Sequence, residues 1–122
     1  MIKRGRILRK NKNIREMVSE NKLHLDNLIQ PIFLISGNNK REKIKTMEGI
    51  ERKSIDLQIK DIKKMISMGI KSIIIFPSIE ENKKNKNATE ALNPKGLIPK
   101  AIKKIKKEFP ELVLITDIAL DP

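Results

Sequence analysis

Two aspartates, Asp117 and Asp121, lie at the end of the stretch ELVLITDIALDP, which runs from Glu111 to Pro122. They follow Leu112 to Ile115, a nearly continuous apolar run of the kind that forms a strand buried on both faces. A carboxylate just past such a strand is costly to desolvate unless something pairs with it. The chemistry on offer is therefore whatever partner would offset such a carboxylate. Strand side chains alternate, so Val113, Ile115, Asp117, Ala119 and Asp121 share one face if the chain stays extended. Four extended residues span about 13 Å, so the two aspartates form no close pair unless the chain turns after Asp117. In α/β folds the C-terminal ends of the strands are where ligands bind. A plainer reading has both aspartates simply ending a strand and opening a loop. This stretch alone leaves the two readings open.

Other chemistries find few residues to use. The 122-residue chain has no cysteine, which removes disulfides, thiolate zinc sites and cysteine nucleophiles together and fits a reducing, cytoplasmic setting. Its one histidine, His24, sits between Leu23 and Leu25 without a second ligand type nearby, and reads as structural. No glycine-rich phosphate loop follows any strand. Twenty-seven Lys and Arg against fifteen Asp and Glu give a net charge of +12, with an isoelectric point near 10.0. Such a charge points first to nucleic acid or an anionic membrane surface. The lysines are scattered, however, and the absence of Tyr and Trp leaves little to stack bases on. They read mainly as solvated surface, with nucleic acid as the weaker alternative. No apolar run approaches the ~20 residues of a membrane span. The basic start, MIKRGRILRK, lacks the apolar core of a secretory signal.

The elements that must position the aspartates follow from periodicity. Residues 1–26 read as a basic arm that lies on another surface, with a short helix over Ile14 to Glu20. Residues 27–122 read as one α/β unit. Strands are expected near 32–35, 71–76 and 112–116, and helices near 55–68 and 97–108. Pro31 inside the first apolar run implies either a later strand start or an edge position. The segment from Gly37 to Lys53 reads as a loop or hairpin. Ser54 is placed to cap the first long helix, with Asp56 in its first turn. Ile55, Ile59, Ile62 and Ile66 supply that helix's apolar stripe, and Ile98, Ala101, Ile102, Ile105 and Phe109 that of the second. Glu80 to Lys95 reads as a mobile polar loop. Strand, helix, strand, helix, strand means a parallel sheet of βαβ units, either open and doubly wound or part of a barrel.

The blocks KRGRILRKN, DNLIQPIFLISG, REKIKTMEGIERKSID, GIKSIIIFP, EALNPKGL and FPELVLITDIALDP occur in this order. In order and spacing the sequence resembles the porphobilinogen synthase (delta-aminolevulinic acid dehydratase) family along essentially its whole length. The resemblance implies the N-terminal part of a TIM (β/α)8 barrel, about three βα units, preceded by an extended arm. It implies an enzyme of tetrapyrrole and haem biosynthesis, a hydro-lyase condensing two 5-aminolevulinates to porphobilinogen. It also implies a homo-oligomer, an octamer in the family, held through the N-terminal arm. Asp117 matches a family active-site aspartate near a substrate amino group. Ala119 and Asp121 stand where zinc-dependent members place cysteines, and Asp121 matches the acidic residue of the zinc-independent type. A hard divalent cation such as magnesium then suits better than zinc, though this chain holds no complete metal site.

The sequence departs from the family pattern at Glu48, where a proline is common, and at Leu92, where an aromatic is. It also ends, at Pro122, before the lysines that form Schiff bases with the substrates. The expectation is a porphobilinogen synthase chain truncated there and inactive alone, whether a fragment, a decayed gene product or one piece of a split enzyme. The alternative is a non-enzymatic module that binds full-length subunits. Lys71 enters the second strand at its N-terminal end, the wrong end for barrel catalysis. Three parallel strands would leave two open edges and an inner face, carrying Ile32, Ile74 and Ile115, with no opposing layer.

Overall fold

The computed structural model describes residues 5–118. Asp121, with Ala119, therefore lies outside the described residues. Five strands form one sheet in the order β2-β3-β1-β4-β5. They are β1 (Ile29–Leu34), β2 (Arg41–Lys43), β3 (Glu51–Lys53), β4 (Ser72–Pro77) and β5 (Val113–Thr116). β1, β4 and β5 run parallel, and β2 and β3 form an antiparallel hairpin whose second strand pairs in parallel with β1. The segment 37–53 is thus a hairpin that widens the sheet. β1 begins at Ile29, before Pro31, because β3 reaches only Phe33 and Leu34. Pro31 has a strand on one side alone, where a missing donor is tolerated.

The two long helices, α2 (Ile55–Ser67) and α3 (Leu97–Glu108), form the crossovers between the parallel strands. Both pack on the same face. Ile62 and Met65 of α2 and Ala101 and Ile105 of α3 share one buried cluster with Ile32, Leu34, Ile73 and Ile75. Ridge-forming positions shift slightly from expectation. Leu57, Gln58, Ile62 and Met65 are innermost on α2, while Ile55 and Ile66 flank the core. A helix on a twisted sheet is buried along the arc it presents, and Leu57 and Met65 lie nearer that arc than Ile59.

One-sided winding is what a barrel requires, since a barrel carries all its helices outside. The two crossovers also step the same way along the sheet, from β1 to β4 to β5, and within one half of a doubly wound sheet such crossovers share a face too. The second face holds Pro31, Phe33, Ile74, Phe76 and Ile115, none of them buried. Ile32 corrects one expectation: it is 7% exposed, inside the helix-side core, because its rung partner is Ile75 and not Ile74.

The N-terminal segment carries α1 (Lys12–Met17) between two 3-10 turns, Ile7–Arg9 and Leu25–Asn27. The helix begins two residues earlier than expected because Asn11 caps it, its Oδ1 accepting from the Ile14 N–H at 2.9 Å. None of these three elements contains a buried residue. Among the described residues no helix is long and apolar enough to cross a membrane.

Candidate active site

Asp117 directly follows the last residue of β5 and is exposed. The β4–β5 register pairs Ile75 with Thr116, so Asp117 comes level with Phe76 at the C-terminal end of the strands. Phe76 in turn pairs with Phe33 across β1 and β4. Their rings stack at a centroid distance of 5.7 Å and an interplanar angle of 26°. The end of the sheet nearest Asp117 is thus an aromatic floor beside a carboxylate. Among the described residues the Asp117 side chain has no hydrogen-bond or ion-pair partner in this chain.

No group of three or more His, Cys, Asp or Glu that could hold a metal comes together among the described residues. Those residues do not by themselves fit a metal site. His24 is exposed, and its backbone N–H donates to Asn27 Oδ1 at 3.0 Å. Lys71 precedes β4 at its N-terminal end, and its Nζ lies 2.8 Å from Asp26 Oδ1. The Lys71 ammonium, through that bond and its charge, holds the Asp26 carboxyl below its ordinary value of 3.8.

The sequence did not disclose what happens at the start of α2. Ser54 occupies the N-cap position, yet its hydroxyl makes no cap bond. It accepts instead from the Lys40 N–H at 2.9 Å, and the side chain is fully buried. Asp56 Oδ2 accepts from the Asn39 N–H at 3.0 Å. The Ser54 hydroxyl, followed by the Asn39 N–H, holds the Asp56 carboxyl below its ordinary value of 3.8. Gln58, also buried, donates from Nε2 to the Phe33 carbonyl at 2.8 Å. The only hint of these roles is the triplet Ser54-Ile55-Asp56, which a helix start uses just as readily.

The loop from 78 to 96 carries two short 3-10 turns, Glu81–Lys83 and Thr89–Leu92, and a set of local hydrogen bonds. Asn85 Oδ1 accepts from the Asn87 and Thr89 N–H groups at 3.1 and 3.3 Å, and Nδ2 donates to Thr89 Oγ1 at 2.6 Å. These bonds hold Ala88 in a left-handed conformation, φ 48°. Leu92 is 81% exposed, so an aromatic ring lost there removes no packing within this chain. A groove of about 300 Å³ lies along β1, lined by Pro31, Ile50, Lys53, Gln58 and Met65. It sits at the opposite side of the sheet order from β5 and is separate from Asp117.

Comparison with known proteins accounts for this geometry. The family model for delta-aminolevulinic acid dehydratase matches residues 2–122. The chain is 44% identical over 119 residues to a delta-aminolevulinic acid dehydratase of Bradyrhizobium diazoefficiens, covering 98% of this chain and 34% of that protein. The Bacillus subtilis enzyme of that name is 37% identical over 117 residues, with 96% and 36% covered. The crystal structure of the Toxoplasma gondii delta-aminolevulinic acid dehydratase (porphobilinogen synthase), in complex with its product porphobilinogen, is also similar. It superposes with a TM-score of 0.90 at 35% identity, over 98% of this chain and 34% of that one. The chain spans about a third of the length of these relatives, and its one-sided sheet is the N-terminal part of a TIM barrel. Sequence identity, shared fold and a family match over nearly every residue lead to one conclusion: the chain belongs to the delta-aminolevulinic acid dehydratase family.

Proposed function

We propose that these 122 residues form the arm and first three βα units of a porphobilinogen synthase, the enzyme that condenses two 5-aminolevulinates to porphobilinogen. The observation that carries this reading is the superposition on the product complex over 98% of the chain. Asp117 acts in the site by orienting the amino group of one substrate, at the strand end where barrels place their chemistry. Asp121 adds a second carboxylate near the substrate or a metal. That metal, which the family resemblance implies, is a hard cation such as magnesium rather than zinc, a reading supported by Asp121 standing where zinc-dependent members place a cysteine. Its remaining ligands come from outside the described residues.

Residues 1–26 serve as an arm against a second subunit of a homo-oligomer, and residues 27–122 as the partial barrel. Exposed Ile7, Leu8, Met17 and Leu23 give such an arm apolar contacts to offer. The protein works in the cytoplasm, a reading its lack of cysteine supports.

The covalent step needs a lysine whose amine is neutral near pH 7, which takes an apolar pocket. No lysine among the described residues is buried, and Lys71 stands at the wrong end of its strand. The Schiff-base lysines of the family lie on later strands. Borohydride trapping with 5-aminolevulinate tests this directly. The 122-residue chain should yield no adduct, while a mixture with the C-terminal part of the Bradyrhizobium relative should yield one on that part alone. An adduct on a lysine of this chain would overturn the assignment.

A further inference from the structure

We infer that Ser54 and Asp56 are positioning residues: together they latch the β1–α2 connection, and with it the β2–β3 hairpin, at the C-terminal end of β1. The inference rests on bonds within this chain and stands apart from the enzymatic reading. β1 ends at Leu34, and its neighbour β3 ends level with it, Leu34 pairing with Lys53. The chain must therefore leave β1, reverse, and return within the hairpin before α2 begins. The reversal uses two left-handed residues, Gly37 at φ 123° and Asn39 at φ 50°. Asparagine visits that region at some cost, so something must hold it there.

Four donors supply the hold. Lys40 N–H donates to Ser54 Oγ at 2.9 Å, while Ser54 N–H returns a bond to the Lys40 carbonyl at 3.0 Å. This adds one rung to the hairpin ladder beyond Arg41 and Lys53. Asn39 N–H donates to Asp56 Oδ2 at 3.0 Å. The Asn38 amide, turned with its nitrogen toward Asp56, donates to Oδ1 and Oδ2 at 3.2 and 3.3 Å. Both acceptor side chains thus leave their own helix start to bind the preceding turn. A carboxylate accepting several N–H bonds is a stronger anchor than a neutral acceptor. None of these residues belongs to the apolar cluster under the helices, so the latch and the core are separable.

Amide hydrogen exchange on the 122-residue chain, read by mass spectrometry, separates them. Asp56→Ala should speed exchange across residues 36–45 at least ~10-fold, with β4 and α3 unchanged. Asp56→Asn keeps an oxygen for the Asn39 N–H but loses the charge, and should fall between. Ser54→Ala should expose the Lys40 amide in the same way. Unchanged exchange in 36–45 for Asp56→Ala would overturn the latch. So would equal acceleration in β4 and α3, which would mean these side chains hold the whole fold. Neither outcome bears on whether the chain takes part in porphobilinogen synthesis.

Discussion

Phe33 and Phe76 stack across neighbouring strands at 5.7 Å, on the face of the sheet that neither long helix covers. One residue away, Ile75 faces the helices and is fully buried. Adjacent positions on β4 therefore differ in what supports them. Phe76→Ala in the 122-residue chain should cost less than Ile75→Ala, about 1 kcal/mol against 2–5. Urea unfolding followed by circular dichroism measures both. An equal cost would mean the second face is closed in solution.

Ile62→Ala on α2 should match Ile75→Ala at about 2–5 kcal/mol, since both side chains lie in one cluster. Lys86→Ala, in the exposed loop, should shift stability by less than ~0.5 kcal/mol. Similar midpoints for all three variants would contradict the assignment of faces.

Acid should act on two surface carboxyls. Asp26 and Asp56 both titrate below their ordinary value of 3.8 in the folded chain. A lowered folded value contributes stability above the unfolded value and loses it as pH falls through the folded one. Asp26→Asn and Asp56→Asn should therefore matter at neutral pH and become silent once the pH has fallen below the lowered folded values. Asp26 and Lys71 are both exposed, so salt should weaken their pair. A pH titration of the urea midpoint, with each variant beside the parent, checks the window.

The bare face and the outer edge of β5 should make the chain associate. β5 offers Val113 to Thr116 without a charge or a proline, whereas the β2 edge carries Arg41, Glu42 and Lys43. Charged edges resist strand addition and neutral apolar ones invite it. Light scattering at micromolar concentration should show species larger than a monomer, reduced by Ile115→Lys. A monodisperse monomer with a cooperative thermal transition would contradict this.

Periodicity was enough to locate α2, α3 and the parallel strands, because runs such as Ile73-Ile74-Ile75 and the spaced isoleucines of α2 record burial directly. It could not assign Ile32 and Ile74 to opposite faces, since register depends on pairing between strands and not on either strand alone. Ser54 and Asp56 read as a helix start because that local use has the same residue types as the turn they hold. The place of Asp117, exposed just past the end of β5, was legible from the apolar run before it. Its partners were not, because among the described residues it has none in this chain.

The central claim is that Asp117 belongs to an active site completed by strands outside this sequence. The direct measurement is porphobilinogen formation by the purified chain with 5-aminolevulinate, alone and mixed with the C-terminal part of the Bradyrhizobium relative. The account predicts no product from the chain alone and product from the mixture. With Asp117→Ala the mixture's rate should fall by roughly 10²-fold, the cost of losing a positioning contact. Product from the 122 residues alone, or a mixture indifferent to Asp117→Ala, would contradict it.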